Sequence, residues 1–256
     1  MPVKLIADAC CNHLGDPLIA QEMIKVASEL EVDYIKFQLY DADFINKAIY
    51  TRDYISFMRS SQVFYSDVLE IIELCYKYKI EPMFTVFHYD RIHLLDNDKL
   101  MYTWPVVKIA SCDAMKPWVY DIVKKVSPQN VIISLGMCSA SEKADIITKY
   151  KDFPNVKFLS CVSQYPCRMK DLDFFEAKKL NGLSCHTNEE EALRLAVDMD
   201  LEYLEFHYTL GHYLPGKDQK FAVDPEQLED LVNYRRYKSN VERYKNRFIE
   251  RPKTGG

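Results

Sequence analysis

Residues 201–218 read LEYLEFHYTLGHYLPGKD, and this stretch decides the fold. An apolar and aromatic run ends at His207, and a loop punctuated by glycine and proline follows and carries Asp218. This pattern is typical of a buried strand that delivers a functional side chain at its C-terminal end and then enters a working loop.

The preceding segment, residues 180–187 (LNGLSCHT), has the same form and ends near His186. Imidazole is a common ligand of divalent metals, so two histidines at the ends of consecutive strands suggest one shared ion. The two segments alone leave a second interpretation open, in which the histidines are unrelated polar residues at strand ends.

A unit of strand, loop and helix recurs along the whole chain. In the first unit an apolar strand is followed by Asp16 and Pro17, which suit the cap and first position of a helix. Eight such units in 256 residues predict an α/β fold, a (β/α)8 TIM barrel, as a single domain over residues 1–256 with a final helix and tail at about 224–256. An open doubly wound sheet is the alternative, but no G-x-G-x-x-G motif follows a strand. The predicted strands are residues 3–9, 33–39, 81–87, 106–111, 131–135, 156–161, 180–186 and 201–207.

Composition excludes several classes of function. An apolar content of 48% is incompatible with general disorder. A net charge of −5 provides no basic surface for nucleic acid, so no nucleic-acid partner is expected. No apolar run has the length of a membrane span and no leader is recognisable, so we expect a cytoplasmic protein without a membrane partner. The eight cysteines are then expected to be reduced, and none forms a C-x2-C pair.

Two lysines, Lys36 and Lys108, lie inside otherwise apolar strands whose flanking residues include no carboxylate partner. A barrel strand has no solvent-exposed face, so a buried lysine needs an opposite charge. We therefore expect an anion between the two lysines. Neighbouring hydroxyls suit a phosphate, and a carboxylate such as Asp113 or Asp218 would handle protons beside a metal. The hydroxyl donors are Thr85, Ser111, Ser134 and Ser184.

These strand-end residues belong to seven ordered motifs that cover nearly the whole chain. The motifs are Asn12-His13-x-Gly15, Ile35-Lys36-Phe37-Gln38, Val107-Lys108-Ile109-Ala110-Ser111-x-Asp113, Ser134-x-Gly136-Met137, Cys161-Val162-Ser163-x-Tyr165-Pro166, Ser184-x-His186-Thr187, and His207-x-Thr209-Leu210 with Pro215-Gly216-x-Asp218. By these motifs the chain resembles the barrel domain of the sialic acid synthase family, which comprises N-acetylneuraminate synthase and its pseudaminic and legionaminic acid relatives.

The resemblance implies a metal-assisted condensation of phosphoenolpyruvate with the aldehyde of an open-chain sugar such as N-acetylmannosamine, giving a 2-keto sugar acid and phosphate. It implies that His186 and His207 bind manganese or magnesium, and that Asp8, Asp113 and Asp218 are catalytic. The residues implied in binding phosphoenolpyruvate, the sugar or water are Asn12, Lys36, Gln38, Thr85, Lys108, Ser111, Ser134, Ser163, Tyr165 and Ser184.

The chain also departs from the family. Asp8 stands where glutamate is usual, and Cys185 stands where an acid commonly precedes the metal-binding histidine. Full-length synthases carry a further antifreeze-like domain that reaches across a dimer, and we expect this sequence to lack it; a homodimer remains an expectation.

Two alternatives to a synthase with an altered acceptor therefore stay open. One is a divergent metal-dependent aldolase or lyase that acts on another phosphorylated or carboxylated substrate. The other is a catalytically inactive binding barrel. Retention of both lysines and both histidines favours an enzyme, because unpaired buried charge is costly.

Overall fold

A computed structural model of the chain describes residues 2–45, 48–95, 105–126 and 130–249, with the backbone alone for 246–249. Its eight parallel strands follow one another in chain order around a closed barrel, in which β1 pairs with both β2 and β8. This arrangement confirms the predicted barrel. The strands are β1 (Lys4–Cys10), β2 (Tyr34–Leu39), β3 (Glu81–Val86), β4 (Val106–Ile109), β5 (Val131–Ser134), β6 (Val156–Cys161), β7 (Gly182–Cys185) and β8 (Tyr203–His207).

The α-helices surround the barrel. The described helices are α1 (Pro17–Glu29), α2 (Arg52–Ser60), α3 (Tyr65–Tyr78), α4 (Trp118–Val126), α5 (Ala140–Lys149), α6 (Phe174–Lys179), α7 (Glu190–Asp198) and α8 (Pro225–Ile249). None of them is long and apolar enough to cross a membrane. The end of the predicted C-terminal tail, residues 250–256, lies outside the described residues.

Several helices begin where the sequence places their caps. The side chain of Asp16 accepts a hydrogen bond from the backbone N–H of Leu18, and Pro17 occupies the first position of α1. At α5, Ser139 and Glu142 form a reciprocal capping box. Such caps satisfy backbone donors that have no partner within the helix.

The connection from Tyr40 to Ser61 contains more regular structure than the sequence indicates. It holds a 3-10 turn at Ala42–Phe44 and helix α2, which Thr51 caps by accepting a hydrogen bond from the Tyr54 N–H at 3.2 Å. Of the α2 side chains, Ile55 alone is buried. A helix with so little buried surface leaves no clear apolar periodicity in its sequence.

Two separate apolar clusters result from the alternation of side chains along the strands. The larger cluster lies between the barrel and its helices. The smaller cluster contains the inward-facing residues near the beginnings of the strands and closes the floor of the barrel. Two residues closer to the C-terminal end of these strands, the inward-facing side chain is polar. It is Asp8 in β1, Lys36 in β2 and Glu205 in β8. The floor residues are Ile6, Tyr34, Met83, Ile132, Leu159 and Tyr203.

Candidate active site

A cavity of about 770 Å³ opens above this floor, at the C-terminal ends of the strands. Its volume lies within the range of roughly 300–1,000 Å³ that is usual for ligand pockets. All but two of the predicted site residues line it: Asp8, Lys36, Gln38, Thr85, Lys108, Ser111, Ser134, Ser163, Tyr165, Ser184, His186, His207 and Asp218.

Asn12 and Asp113 are not among the lining residues. The buried Asn12 side chain donates a hydrogen bond to the Tyr208 carbonyl at 2.8 Å, which joins the loop after β1 to the end of β8. Asp113 is also buried, and the Cys112 thiol contacts its carboxylate at 3.7 Å. Burial raises the pKa of Asp113.

The premise that Lys36 and Lys108 lack a carboxylate partner within the protein is wrong. Lys36 Nζ lies 2.8 Å from Asp8 Oδ2 and 3.6 Å from Glu205 Oε2, and Lys108 Nζ lies 3.7 Å from Glu205 Oε1. Asp8 is the direct cross-strand partner of Lys36 in the pairing of β1 with β2. Both carboxylates come from other strands, so the residues that flank each lysine in sequence do not reveal them.

Two of the four predicted hydroxyls contact the ammonium groups, while Ser184 contacts Glu205 and Ser111 contacts Ser163. Lys36 donates to Thr85 Oγ1 at 3.0 Å, and Lys108 donates to Ser134 Oγ at 2.7 Å. The Ser184 hydroxyl donates to Glu205 Oε1 at 2.7 Å. The result is one connected polar layer directly above the apolar floor.

The two lysines differ in the balance of burial and charge. Burial alone would lower the pKa of Lys36, but Asp8 and Glu205 outweigh it and raise that pKa above its usual value. At Lys108 burial outweighs the attraction of Glu205, so its pKa is lowered. For Asp8, burial opposes ionisation, but the charge of Lys36 and the hydrogen bond from the Cys10 N–H hold the pKa of the carboxyl well below its usual range.

The two predicted metal-binding histidines meet at the side of the cavity next to β1. Their ring centroids are 5.2 Å apart, and Tyr165 stacks over His186 with centroids 4.1 Å apart. His186 Nδ1 lies 2.8 Å from the Val162 carbonyl, which only accepts, so this nitrogen carries the proton and Nε2 has a free lone pair. Burial lowers the pKa of His186 and brings that of His207 to about 3, so both rings are neutral at physiological pH.

A group of three buried side chains offers donor atoms that all lie within 4.8 Å of one another, namely Asp8, Cys10 and His207. His207 is 7% exposed, and its Nδ1 has no hydrogen-bond partner. The second histidine, His186, is outside this group of three. Nitrogen, oxygen and sulfur donors at such separations are suited to a divalent metal ion.

Asp218 extends towards His207 from the loop after β8, with Oδ2 at 3.8 Å from His207 Nδ1. Burial, reinforced by the negative charge of Asp8, raises the pKa of Asp218 to about 6. A carboxyl group that titrates near neutral pH is suited to exchange protons with a substrate.

The outer wall of the cavity includes residues that the sequence analysis did not select. Tyr50 and Tyr54, from the 40–61 connection, line it, and Lys217 Nζ lies 4.3 Å from the centre of the Tyr54 ring. With Lys220, the lining holds four lysines against the three carboxylates of Asp8, Glu205 and Asp218. The lining therefore has an excess of positive charge, which favours an anionic ligand.

Glu205 is the most important residue missed by sequence reasoning. It lies two residues before His207 in β8 and therefore faces the barrel interior with it. That spacing was the available signal, since an acid at an inward position of a buried strand needs a partner just as a lysine does.

Comparison with known proteins gives a consistent result. The sequence model of the NeuB family matches residues 23–245. The N,N'-diacetyllegionaminic acid synthase of Legionella pneumophila is 28% identical over 91% of this chain and 71% of its own length. The Homo sapiens N-acetylneuraminate-9-phosphate synthase is 28% identical over 90% of this chain and 68% of its own length.

Among solved structures, the chain is similar to the N-acetylneuraminic acid synthetase of Leptospira borgpetersenii in complex with citrate. The TM-score is 0.82 at 25% identity, covering 100% of this chain and 88% of that one. The spore coat polysaccharide biosynthesis protein of Bacillus subtilis has a TM-score of 0.79 at 24% identity, covering 96% and 70%, and supports the fold alone.

Proposed function

This chain belongs to the NeuB family, and from that premise we propose that it condenses phosphoenolpyruvate with the aldehyde of an N-acetylhexosamine or a related sugar. The carbon–carbon bond forms between C3 of phosphoenolpyruvate and the aldehyde carbon, and the aldehyde oxygen takes up a proton. Water adds at C2, and loss of phosphate leaves a 2-keto sugar acid.

One observation carries the proposal: two buried ammonium groups and a set of hydroxyls form a polar layer across the floor of the cavity. Lys36 and Lys108 are each at most 3% exposed, and they present their charge beside Thr85 and Ser134. A phosphoenolpyruvate trianion gives the two ammonium groups charged oxygen acceptors in place of the neutral hydroxyls of Thr85 and Ser134. Its phosphate and carboxylate need two cationic partners, which the two lysines supply.

The carboxylates set the protonation pattern around this anion. Asp8 and Glu205 keep the charged lysines stable when no anion is bound, since each lies within 4 Å of a lysine Nζ. Asp218, with its pKa raised to about 6, accepts or donates the proton at the acceptor sugar or at the attacking water. Ser163 and Tyr165 line the same cavity and bind the sugar.

The residues present also fit a divalent cation. The unpartnered Nδ1 of buried His207 and the free Nε2 lone pair of His186 are neutral nitrogen donors, and the Val162 carbonyl orients the His186 ring. When bound, the cation polarises the aldehyde oxygen. The family resemblance implies manganese or magnesium for this role.

The test is phosphate release from phosphoenolpyruvate in the presence of a divalent cation, measured over a panel of N-acetylhexosamines and plain aldoses. We expect release that requires an acceptor, and formation of a 2-keto acid in equal amount. Lys108→Met is expected to abolish release, while Lys116→Met, a change at an exposed lysine in the loop after β4, is the matched control.

His207→Ala is expected to abolish release as well, whereas His212→Ala in the following loop is expected to retain it. His212 lies further out, with its Nε2 at 2.9 Å from the Ala222 carbonyl. Turnover of another phosphorylated or carboxylated substrate without phosphoenolpyruvate would replace the proposal with a lyase or aldolase. Binding of phosphoenolpyruvate without release for any acceptor would reduce it to a binding barrel.

A further inference from the structure

The first strand ends in an unusual conformation beside the proposed metal-binding histidine. Cys10, the last residue of β1, has φ of +45°, and the pairing of β1 with β2 shifts register between Asp8 and Cys10. A non-glycine residue in the left-handed region is uncommon, and such strain is concentrated at functional sites. Bulges at strand ends often reorient a side chain towards an active site.

The side chain of Cys10 is directed into the group of donors already described. Its sulfur, a carboxylate oxygen of Asp8 and a ring nitrogen of His207 all lie within 4.8 Å of one another, and the three residues are at most 7% exposed. Bonds of about 2.0–2.3 Å to nitrogen, oxygen and sulfur place the donors of one ion roughly 3–4 Å apart. The three donors must therefore move closer together to share one cation, and Asp8 must do so while its Oδ2 lies 2.8 Å from Lys36 Nζ and its Oδ1 accepts from the Cys10 N–H at 3.0 Å.

The Cys10 thiol donates to the Asp8 carbonyl of its own strand at 3.4 Å, whereas the other thiols in this region contact different groups. Cys11 Sγ lies 3.5 Å from Tyr40 Oη and 3.6 Å from Met58 Sδ, so it belongs to the packing of the 40–61 connection. Cys161 Sγ lies 3.9 Å from His186 Nδ1, the nitrogen that is already directed at the Val162 carbonyl. Among the described thiols, Cys10 is the one that completes a group of three donors.

We propose that Cys10 is a ligand of the divalent cation, together with His207 and Asp8, and that the site therefore selects a borderline metal such as zinc, cobalt or iron over magnesium. The inference rests on the cation of the proposed function. Coordination replaces the S–H bond of Cys10 with a metal–sulfur bond, the proton passes to solvent, and the cation loses a bound water. Thiolate ligands favour these metals, whereas carboxylate and water suit magnesium and manganese.

Cobalt substitution tests the proposal without reference to turnover. Metal-free protein is titrated with Co²⁺, and we expect a near-ultraviolet sulfur-to-cobalt charge-transfer band. The band should be absent in Cys10→Ser and Cys10→Gly and present in the matched controls Cys11→Ser and Cys161→Ser. Cys10→Gly keeps the test valid if serine disturbs folding, since glycine adopts the left-handed conformation without a steric penalty.

The affinity for zinc provides a second measurement. Loss of a partner that only orients a ligand weakens metal binding about 10–100-fold, so loss of the Cys10 sulfur should weaken zinc binding by at least about 10-fold while changing magnesium binding less. A chromophoric chelator in competition measures both constants.

The outcomes separate this proposal from the wider function. Cobalt binding without the sulfur band, or a band that persists in Cys10→Gly, would overturn the role of Cys10 and leave a metal site of nitrogen and oxygen donors intact. Loss of the band in Cys161→Ser alone would show that the sulfur ligand is Cys161 of β6, and this would overturn the proposal. If the wild-type protein bound no cobalt, the metal site as a whole would be overturned. Phosphate release measured without a metal would then test the proposed condensation.

Discussion

At the level of single residues, the site depends on charges that meet across strands. The sequence identified Lys36 and Lys108 as buried cations, because each interrupts an apolar strand. It did not identify their partners, because strand register decides that Asp8 lies opposite Lys36 and that Glu205 reaches both lysines. The sequence thus identified the buried lysines, whereas their carboxylate partners could be identified only from the strand register of the closed barrel.

Glu205→Gln tests this pairing. The change leaves Lys108 without its nearest carboxylate in a buried site, so we expect the free energy of unfolding to fall by about 3 kcal/mol in the absence of anions. Inorganic phosphate should restore more stability in the variant than in the wild-type protein, because an anion then supplies the missing charge. Urea unfolding with and without phosphate measures both effects.

Glu202→Gln is the matched control for Glu205→Gln. Glu202 immediately precedes the same strand, but its partner Lys157, at 3.3 Å, is partly exposed, with 25% and 36% of the two side chains accessible. The cost should therefore stay below about 1 kcal/mol. Equal costs for the two variants, or equal stabilisation by phosphate, would contradict the role assigned to Glu205.

Asp218 leads to a prediction about activity and pH. As its pKa is raised to about 6 by burial and by Asp8, the carboxylate accepts a proton only above that pH, and kcat/KM should fall about tenfold for each pH unit below it. Asp218→Asn should lower the rate about 10²–10⁴-fold and remove this acidic limb. Asp224→Asn is the control, because asparagine can still cap α8 in place of Asp224. This variant should keep the acidic limb of the pH profile. An unchanged limb in Asp218→Asn would assign it to another group.

At the level of elements, the close approach of β7 and β8 depends on a residue without a side chain. A Cβ at Gly182 would lie 2.0 Å from the Tyr203 carbonyl oxygen, which is backbone of the neighbouring strand and has no freedom to move aside. Gly182→Ala should therefore reduce the free energy of unfolding by at least about 2 kcal/mol, measured by urea unfolding.

Gly211→Ala provides the comparison for the Gly182 prediction. The atoms nearest to its Cβ would be ring atoms of Tyr213, a side chain that is 86% exposed and free to rotate away. The expected cost is below about 0.5 kcal/mol. If the two alanine variants were equally stable, the contact between Gly182 and the Tyr203 carbonyl would not limit the packing of β7 against β8.

Elements differ in how well the sequence predicted them. The strands were found within a few residues, because apolar runs of β-branched residues bounded by loops are a strong signal for buried parallel strands. Helix α2 was not found, because its single buried residue provides no periodicity. The connection after β3 contains a short 3-10 helix at Tyr89–Leu94.

At the level of the whole molecule, the eightfold alternation of strand and helix was enough to predict closure, and closure placed the strand-end residues around one opening. It did not predict which of them face the cavity. Asn12 and Asp113 follow strands in loops, where backbone conformation rather than strand alternation decides the direction of a side chain. The donors around Cys10 were likewise hidden, because a register shift and a left-handed residue bring them together.

The buried histidines make the stability of the whole barrel sensitive to acid. Burial lowers the pKa of His13 to about 4 and that of His207 to about 3, below the ordinary value of 6.5. Burial lowers the pKa of His186 in the same direction. As the pH falls below about 6.5, the unfolded chain takes up protons at these three histidines that the folded chain excludes, so the free energy of unfolding decreases. Asp218 acts in the opposite direction between about pH 6 and 4, since its raised pKa lets the folded state hold a proton that the unfolded state has lost.

Two substitutions should therefore change the pH dependence of stability with opposite signs. Within its window each group changes the slope by up to about 1.4 kcal/mol per pH unit, and between about pH 6 and 4 the histidines lower the stability of the metal-free protein while Asp218 opposes them. His13→Gln should flatten the slope, because it removes one destabilising group. Asp218→Asn should steepen it, because it removes the opposing one. Urea unfolding at several pH values, with a chelator present, measures the slope. Slopes that change in the same direction in both variants would show that other groups control the acid response, because only opposite pKa shifts at the two sites produce opposite changes.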